Sequence, residues 1–464
     1  MKKSDVTALE SKLTYKRENA FDLMKSSEIE KAFDYCEGYK KFLDNAKTER
    51  EAVKTAVDLA QKNGYKAWQS EKKYKKGDKV YFVNRNKAVI FLKLGEDIEK
   101  GILIAAAHID SPRLDLKPNP VYESESMSYL DTHYYGGIKK YQWVTLPLSM
   151  HGAVVKKNGE TVEINIGEDE NDPIFYITDL LPHLGAEQMK KSLAEGISGE
   201  SLNILVGSIP LEHAEKSAVK LNTLKLIFDK YNITEEDFMS AEVSLVPAGK
   251  ARDIGFDRSL ICAYGHDDRV CAYPALTALM ESKSDRTLLV CLTDKEEVGS
   301  MGNTGLNSSY LYDFMEEISV SLGANPRTVF RNSKCLSADV NAAYDPQFAE
   351  VYEKNNSSYI NCGVVVTKYT GARGKSGSSE ASAEFMAEIR KAFDENEVCW
   401  QMGELGKVDV GGGGTVAQYV ANRNIDVVDI GVPVLSMHAP FEAVSKLDVY
   451  STHKAISAFF ERMI

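Results

Sequence analysis

The sequence predicts an α/β protein interrupted by an inserted strand-rich segment, and three observations predict it. First, KAVIFLKLG (87–95) and GILIAAAH (101–108) are short apolar runs bounded by charge or glycine, the profile of central strands buried on both faces. Second, the texture changes between about 118 and 245, where LSMHGAVVKKNGETVEINIG reads as a two-strand hairpin turning at Asn158-Gly159, a pair preferred in type I′ turns. Third, the α/β texture returns from Pro247, with the helix candidate VCAYPALTALMESK and strands TLLVCLT (287–293), KCLSAD (334–339) and DVVDIGV (426–432). One domain is therefore expected to be discontinuous, over 1–117 and 246–464, around a β-rich insert at 118–245.

Ahead of the first strand, apolar positions recur at three-to-four spacing from Ser4 to about Gly64, which predicts an amphipathic helical cover ending at a glycine. No internal repeat is present. Two low-complexity patches, GARGKSGSSEAS (371–382) and VGGGGTV (410–416), read as flexible loops.

Composition narrows the function. A chain of 464 residues with 43% hydrophobic and 27% charged residues can bury a full core and suggests two or three domains. The formal charge is -12 and no basic block is present, so nucleic acid is not the expected partner. The opening residues carry charges throughout without an apolar leader core, and no run approaches the roughly 20 apolar residues that span a bilayer. The expectation is a cytoplasmic protein with no membrane partner. Seven cysteines without C-x-x-C spacing read as buried free thiols in a reducing compartment.

The chemistry gathers in five segments at strand ends or adjoining loops, where open α/β sheets collect their sites: AAHIDSPRLDLKP (106–118), GHDDRV (265–270), TDKEEVGSMG (293–302), SADVNAAYDP (337–346) and VLSMHAPFE (434–442). They offer His108, Asp110, Asp267, Asp268, Glu296, Glu297, Asp339 and His438, imidazoles and carboxylates without thiolate, a set suited to zinc, cobalt or manganese. The Asp267-Asp268 pair offers a carboxylate able to bridge two cations. Adjacent Glu296 and Glu297 leave the strand in different directions, so one can bind a cation while the other moves protons. Each residue alone has an ordinary explanation, an Asp capping a helix or a structural histidine; the set is more specific than its members. No G-x-S-x-G, P-loop or H-E-x-x-H is present.

At these residues the chain resembles the aspartyl aminopeptidase family, which includes a yeast vacuolar aminopeptidase I, of dinuclear zinc exopeptidases. AHIDSPRL resembles the family's H-x-D-S-P segment, DKEEVGSMG its D-x-E-E-V-G-S, LSADVNAAYDP its S-A-D segment and LSMHAPFE its A-M-H. GHDDRV departs, since the aspartyl enzymes usually read Asp-Asn-Leu there. The resemblance implies a mixed-sheet zinc-exopeptidase domain sandwiched by helices and two divalent metal ions per subunit. It makes Asp267 the bridge, His108 and Asp339 ligands of one ion, Glu297 and His438 ligands of the other, Glu296 the general base, and Asp110 the group that orients His108.

HYYGGIKKYQW (133–143) and LPHLG (181–185) resemble the family's dimerisation domain, which implies that His183 contacts substrate in a neighbouring subunit of a tetrahedral dodecamer. Lys368, Arg373 and Lys375 lie where relatives hold substrate, and a cation there, Lys375 foremost, would pair with an acidic N-terminal residue. VDVGGGGTV departs from the family's usual Asp-Thr-Pro-Cys-Gly-Thr-Thr. The expected function is a cytosolic metalloaminopeptidase acting on peptides, for which the family resemblance alone implies a preference for N-terminal Asp or Glu. The alternatives are a broader aminopeptidase or deacylase of a related family, and a non-catalytic assembly scaffold that retains the fold.

Overall fold

A computed structural model describes residues 3–463. Its centre is a nine-stranded mixed sheet whose middle is four parallel strands in the order Thr287–Thr293, Ile102–His108, Lys334–Ala338 and Asp426–Gly431. Antiparallel neighbours flank this block, Ala88–Lys93 on one side and Val364–Thr367 on the other.

The apolar runs form central strands because both faces are covered. All seven residues of Ile102–His108 are buried. Leu103, Ala105 and Ala107 enter a core shared with the helices Ser26–Asp44, Glu49–Lys62, His266–Glu281 and Lys446–Arg462. Ile102, Ile104 and Ala106 enter the opposite core, with Tyr310–Ser321 and Ala417–Ala421. Leu288 and Val290 likewise face the first core while Leu289 and Cys291 face the second, as the two-residue period of a strand requires.

A six-stranded antiparallel sheet draws its strands from Arg113–Ser124 through Ala241–Pro247 and closes over a separate core around Trp143, Leu148, Ile204 and Leu245. Its hairpin joins Leu148–Val155 to Thr161–Ile166, and the turn differs from the expected type I′. Gly159 N–H donates to Lys156 O, and of Asn158 and Gly159 only the glycine has positive φ, at 86°. This is a type I turn closed by a left-handed glycine, the three-residue loop in which Gly takes the bulge position.

A five-stranded sheet was not foreseen from sequence. It contains Arg252–Ile254, Leu260–Ala263, Glu442–Ser445, Pro433–Leu435 and Asn341–Ala342, each too short to give a periodic signal, and it brings the 265–268, 339–342 and 433–442 segments together. The two glycine-rich patches are also not independent loops: Gly371–Ala372 pairs antiparallel with Gly412–Gly413. All seven cysteines are free thiols, five of them buried. Among the described residues no helix is long and apolar enough to cross a membrane.

Candidate metal centre

Three adjacent parallel strands end at one place. His108 closes its strand, Asp339 follows Lys334–Ala338, and Glu296 and Glu297 lie in a short turn after Thr287–Thr293. Asp267 enters from the start of the helix His266–Glu281, and His438, at φ 63°, from the loop between two strands of the small sheet. The geometry brings all six together.

Asp267 is the hub. Its Oδ1 lies 3.0 Å from His108 Nε2 and its Oδ2 3.3 Å from His438 Nε2. His108 Nε2 is also 3.8 Å from Asp339 Oδ1 and 3.9 Å from Glu296 Oε2, and His438 Nε2 is 3.6 Å from Glu297 Oε2. Two donor sets result, His108 with Asp267 and Asp339, and Asp267 with Glu297 and His438; within each, the ligand atoms lie within 4.8 Å of one another.

Each imidazole is aimed by its other nitrogen. His108 Nδ1 donates to the backbone carbonyl of Asp110 at 3.0 Å and lies 3.3 Å from its carboxylate. His438 Nδ1 donates to Gly137 O at 2.8 Å. A carbonyl can only accept, so both Nε2 atoms are turned to the cluster, the arrangement ligating histidines generally show. Asp110 also accepts the backbone N–H groups of Glu296 and Glu297, both at 3.2 Å, and the Tyr135 hydroxyl at 2.7 Å, so it fixes the Glu-Glu turn as well as the ring.

Electrostatics show a shortage of positive charge. Burial acts to raise Asp267, but hydrogen bonds from His108 and His438 hold it well below the usual carboxylate range. Burial pushes Glu296 up to about 7, opposed by His108 and assisted by the negative Asp267 and Asp110. Burial likewise raises Glu297 and Asp339. The His438 imidazole, which burial alone would lower, is held at about 10 by Asp267 and Glu297. Glu297 Oε1 is buried without a hydrogen-bond partner. Four crowded carboxylates facing two imidazoles, with one oxygen orphaned, is a donor set that fits divalent cations, whose charge offsets the cost of burying these groups.

The cluster floors a cavity of about 1260 Å³. Its lining includes Lys139, Tyr141, Phe348, Tyr352, Arg373 and Lys375, together with the glycines at 411–414. Lys375 is 3.2 Å from Glu380 and lies over the Tyr369 ring at 3.8 Å. Lys368 is 3.5 Å from the same Glu380 and is not among the cavity's lining residues. His183 is exposed on the inserted segment and does not line the cavity of its own chain.

Sequence reasoning missed Glu442, whose buried carboxylate accepts the backbone N–H of Asp267 at 3.0 Å and of His438 at 2.8 Å. Burial and the Asp267 charge push it up to about 8. It also missed Ser111, which donates to Asp267 O at 2.5 Å, and the roles of Tyr135 and Gly137. The available signal was position, since Glu442 is four residues from His438 and Ser111 three from His108.

Comparison with known proteins decides the family. Residues 42–460 match the profile described as aminopeptidase I zinc metalloprotease (M18). The chain belongs to that family. A probable M18 family aminopeptidase 1 of Clostridium acetobutylicum is 48% identical over 452 residues, covering 95% of this chain and 97% of that one. The crystal structure of an M18 family aminopeptidase from Thermotoga maritima superposes with a TM-score of 0.94 at 43% identity, covering 97% of this chain and 100% of that chain. A Saccharomyces cerevisiae mApe1 dodecamer shares the fold at a TM-score of 0.75 and 22% identity, over 92% of this chain and 96% of that chain. The chain is thus an aminopeptidase of a zinc metalloprotease family, with the mixed α/β fold of its relatives.

Proposed function

We propose that the protein is a cytosolic aminopeptidase that uses two divalent metal ions, zinc in the first instance with cobalt or manganese as alternatives, to remove N-terminal Asp or Glu from peptides. The observation that carries the two-ion reading is Asp267, whose two carboxylate oxygens each face a different histidine. His108 and Asp339 complete one site, Glu297 and His438 the other. When bound, the ions supply positive charge that polarises the scissile carbonyl and makes water more acidic.

The chain's own residues do the rest. Glu296 accepts a proton from the attacking water and delivers it to the leaving amine; it lines the cavity with its Oε2 3.9 Å from His108 Nε2. Asp110 holds the His108 ring and the turn bearing Glu296 in one geometry. Carboxylates on the cavity floor attract the free amino terminus of the peptide, and Lys375 pairs with an acidic first side chain.

Residues 118–245 form the dimerisation and substrate-gating domain in this reading, with His183 reaching substrate in a neighbouring subunit of a tetrahedral dodecamer. Support comes from apolar side chains left in water on that segment, among them Leu184 (70% exposed), Leu193 (71%) and Ile209 (71%). The yeast dodecamer of the same fold supports it further. Free cysteines fit a reducing cytosol.

A broader specificity is favoured by one observation, the apolar side chains of Phe348, Val351, Leu405 and Val408 in the cavity wall. A panel of aminoacyl substrates separates the readings. Highest kcat/KM for N-terminal Asp and Glu supports the acidic preference; highest values for Leu or Met overturn it.

A further inference from the structure

We propose that the segment carrying Tyr135 and Gly137 out of the six-stranded sheet is a positioning element for both histidines of the centre, acting on His108 through Asp110 and on His438 directly. The consequence is that metal affinity depends on how the inserted sheet is seated. The inference rests on reading His108, Asp267, Glu297, Asp339 and His438 as metal ligands.

Tyr135 is the last residue of the strand Met127–Tyr135 and is 8% exposed. Its hydroxyl donates to Asp110 Oδ2 at 2.7 Å, and the Oδ1 of the same carboxylate lies 3.3 Å from His108 Nδ1, which also donates to the Asp110 backbone carbonyl at 3.0 Å. Two residues later, Gly137 O accepts His438 Nδ1–H at 2.8 Å. One short piece of the insert therefore reaches the free nitrogen of both rings, once through a relay and once by its own backbone.

Arg113 ties Tyr135 to the central domain. The Arg113 guanidinium packs over the Tyr135 ring at 4.1 Å, its backbone pairs in register with Tyr135, and it forms an ion pair with Glu49 at 2.9 Å. Glu49 begins the helix Glu49–Lys62, which packs on the central domain. Tyr135 thus sits between a ligand-orienting carboxylate and a cation anchored in the other domain. Outer hydrogen bonds of this kind set ring orientation and ligand basicity, and removing one typically costs ~10- to 100-fold in metal affinity or activity.

The test uses the full chain and zinc alone as probe, with Tyr135→Phe, Asp110→Asn, the double variant and His108→Ala. Zinc affinity is read by chelator competition, and the cobalt-substituted proteins give d–d absorption spectra. Expected are a ~10- to 100-fold loss of zinc affinity in Tyr135→Phe, a changed cobalt spectrum, and a double variant no weaker than Asp110→Asn alone, because hydroxyl and carboxylate act in one relay. Zinc affinity and cobalt spectrum equal to wild type, even with a lowered unfolding temperature, overturn the proposal, since a merely structural tyrosine gives that result. Additive losses in the double variant overturn the relay. If His108→Ala retains full zinc, the ligand reading itself fails and takes this proposal with it; if His108→Ala loses zinc while Tyr135→Phe does not, the positioning proposal alone fails.

Discussion

Glu442 Oε2 accepts the backbone N–H of Asp267 at 3.0 Å. Its other oxygen accepts the backbone N–H of His438 at 2.8 Å, so one buried carboxylate fixes the main chain at Asp267, the proposed shared ligand, and at His438, the proposed ligand farthest from it in sequence. Glu442→Gln keeps the shape but offers one acceptor oxygen where two N–H groups arrive. We expect a loss of ~10- to 100-fold in metal affinity or in kcat, with KM little changed. Zinc content after dialysis against a chelator, with steady-state kinetics, checks this; values within two-fold of wild type would contradict it.

The polar contact between the helical cover and the inserted sheet gives a pH-dependent stability. His151 Nδ1 meets Glu51 at 2.9 Å and its Nε2 meets Glu168 at 3.2 Å, with Lys47 at 3.6 Å from Glu168. Burial alone would raise Glu168, but His151, Lys47 and Ser149 hold it at about 2, against an ordinary 4.5. Its contribution is complete above pH 4.5 and is lost as pH falls toward about 2. His151, which burial would lower, is raised above its ordinary 6.5 by Glu168 and Glu51, so its share is complete below that value and is lost as pH climbs through the folded value. Glu168→Gln should lower stability at neutral pH by about 1.5–3 kcal/mol and flatten the acid limb relative to wild type. Urea unfolding across pH measures both; parallel acid limbs would show that Glu168 is not the group responsible.

Gly412 has φ of +127°, and a Cβ there would lie 2.6 Å from Ala372 Cα. Gly412→Ala should therefore strain the short glycine ladder by about 1–3 kcal/mol and displace the cavity lining without touching the proposed metal ligands. The expected signature is a raised KM with full metal content. Unchanged KM would mean that the glycine ladder does not contact substrate.

Lys375 carries the proposed acidic preference. Lys375→Ala should reduce kcat/KM for N-terminal Asp or Glu by about 10-fold, the loss of one charge-assisted hydrogen bond of ~1.5 kcal/mol, while Leu substrates are unaffected. Equal losses on both substrates would assign Lys375 to wall structure through its pairing with Glu380.

Much of this was legible in the chain, for definable reasons. The parallel centre could be read because a strand buried on both faces is an unbroken apolar run, as in Ile102–His108 and Thr287–Thr293. His108, Asp267, Glu296, Glu297, Asp339 and His438 stood out because acids and imidazoles at strand ends are costly without partners. What stayed hidden depends on contacts between distant segments. Gly371–Ala372 meets Gly412–Gly413 through backbone pairing, which glycines do not advertise. Glu442 and Gly137 act on main-chain groups or through main-chain atoms, so no spacing of side-chain types marks them. The turn at Gly159 differed because the Asn-Gly pair fits both a type I′ turn and a type I turn with a glycine bulge, and loop length decides between them.

The central claim is that Glu296 moves protons beside a two-ion site held by its neighbours. Metal content by elemental analysis, taken with turnover on wild type and Glu296→Gln, tests it most directly. The expected result is near two ions per chain in both proteins, with kcat of the variant reduced by ~10²- to 10⁴-fold, the usual share of a general acid–base group. A single ion per wild-type chain, or a fully loaded Glu296→Gln that turns over like wild type, would contradict it.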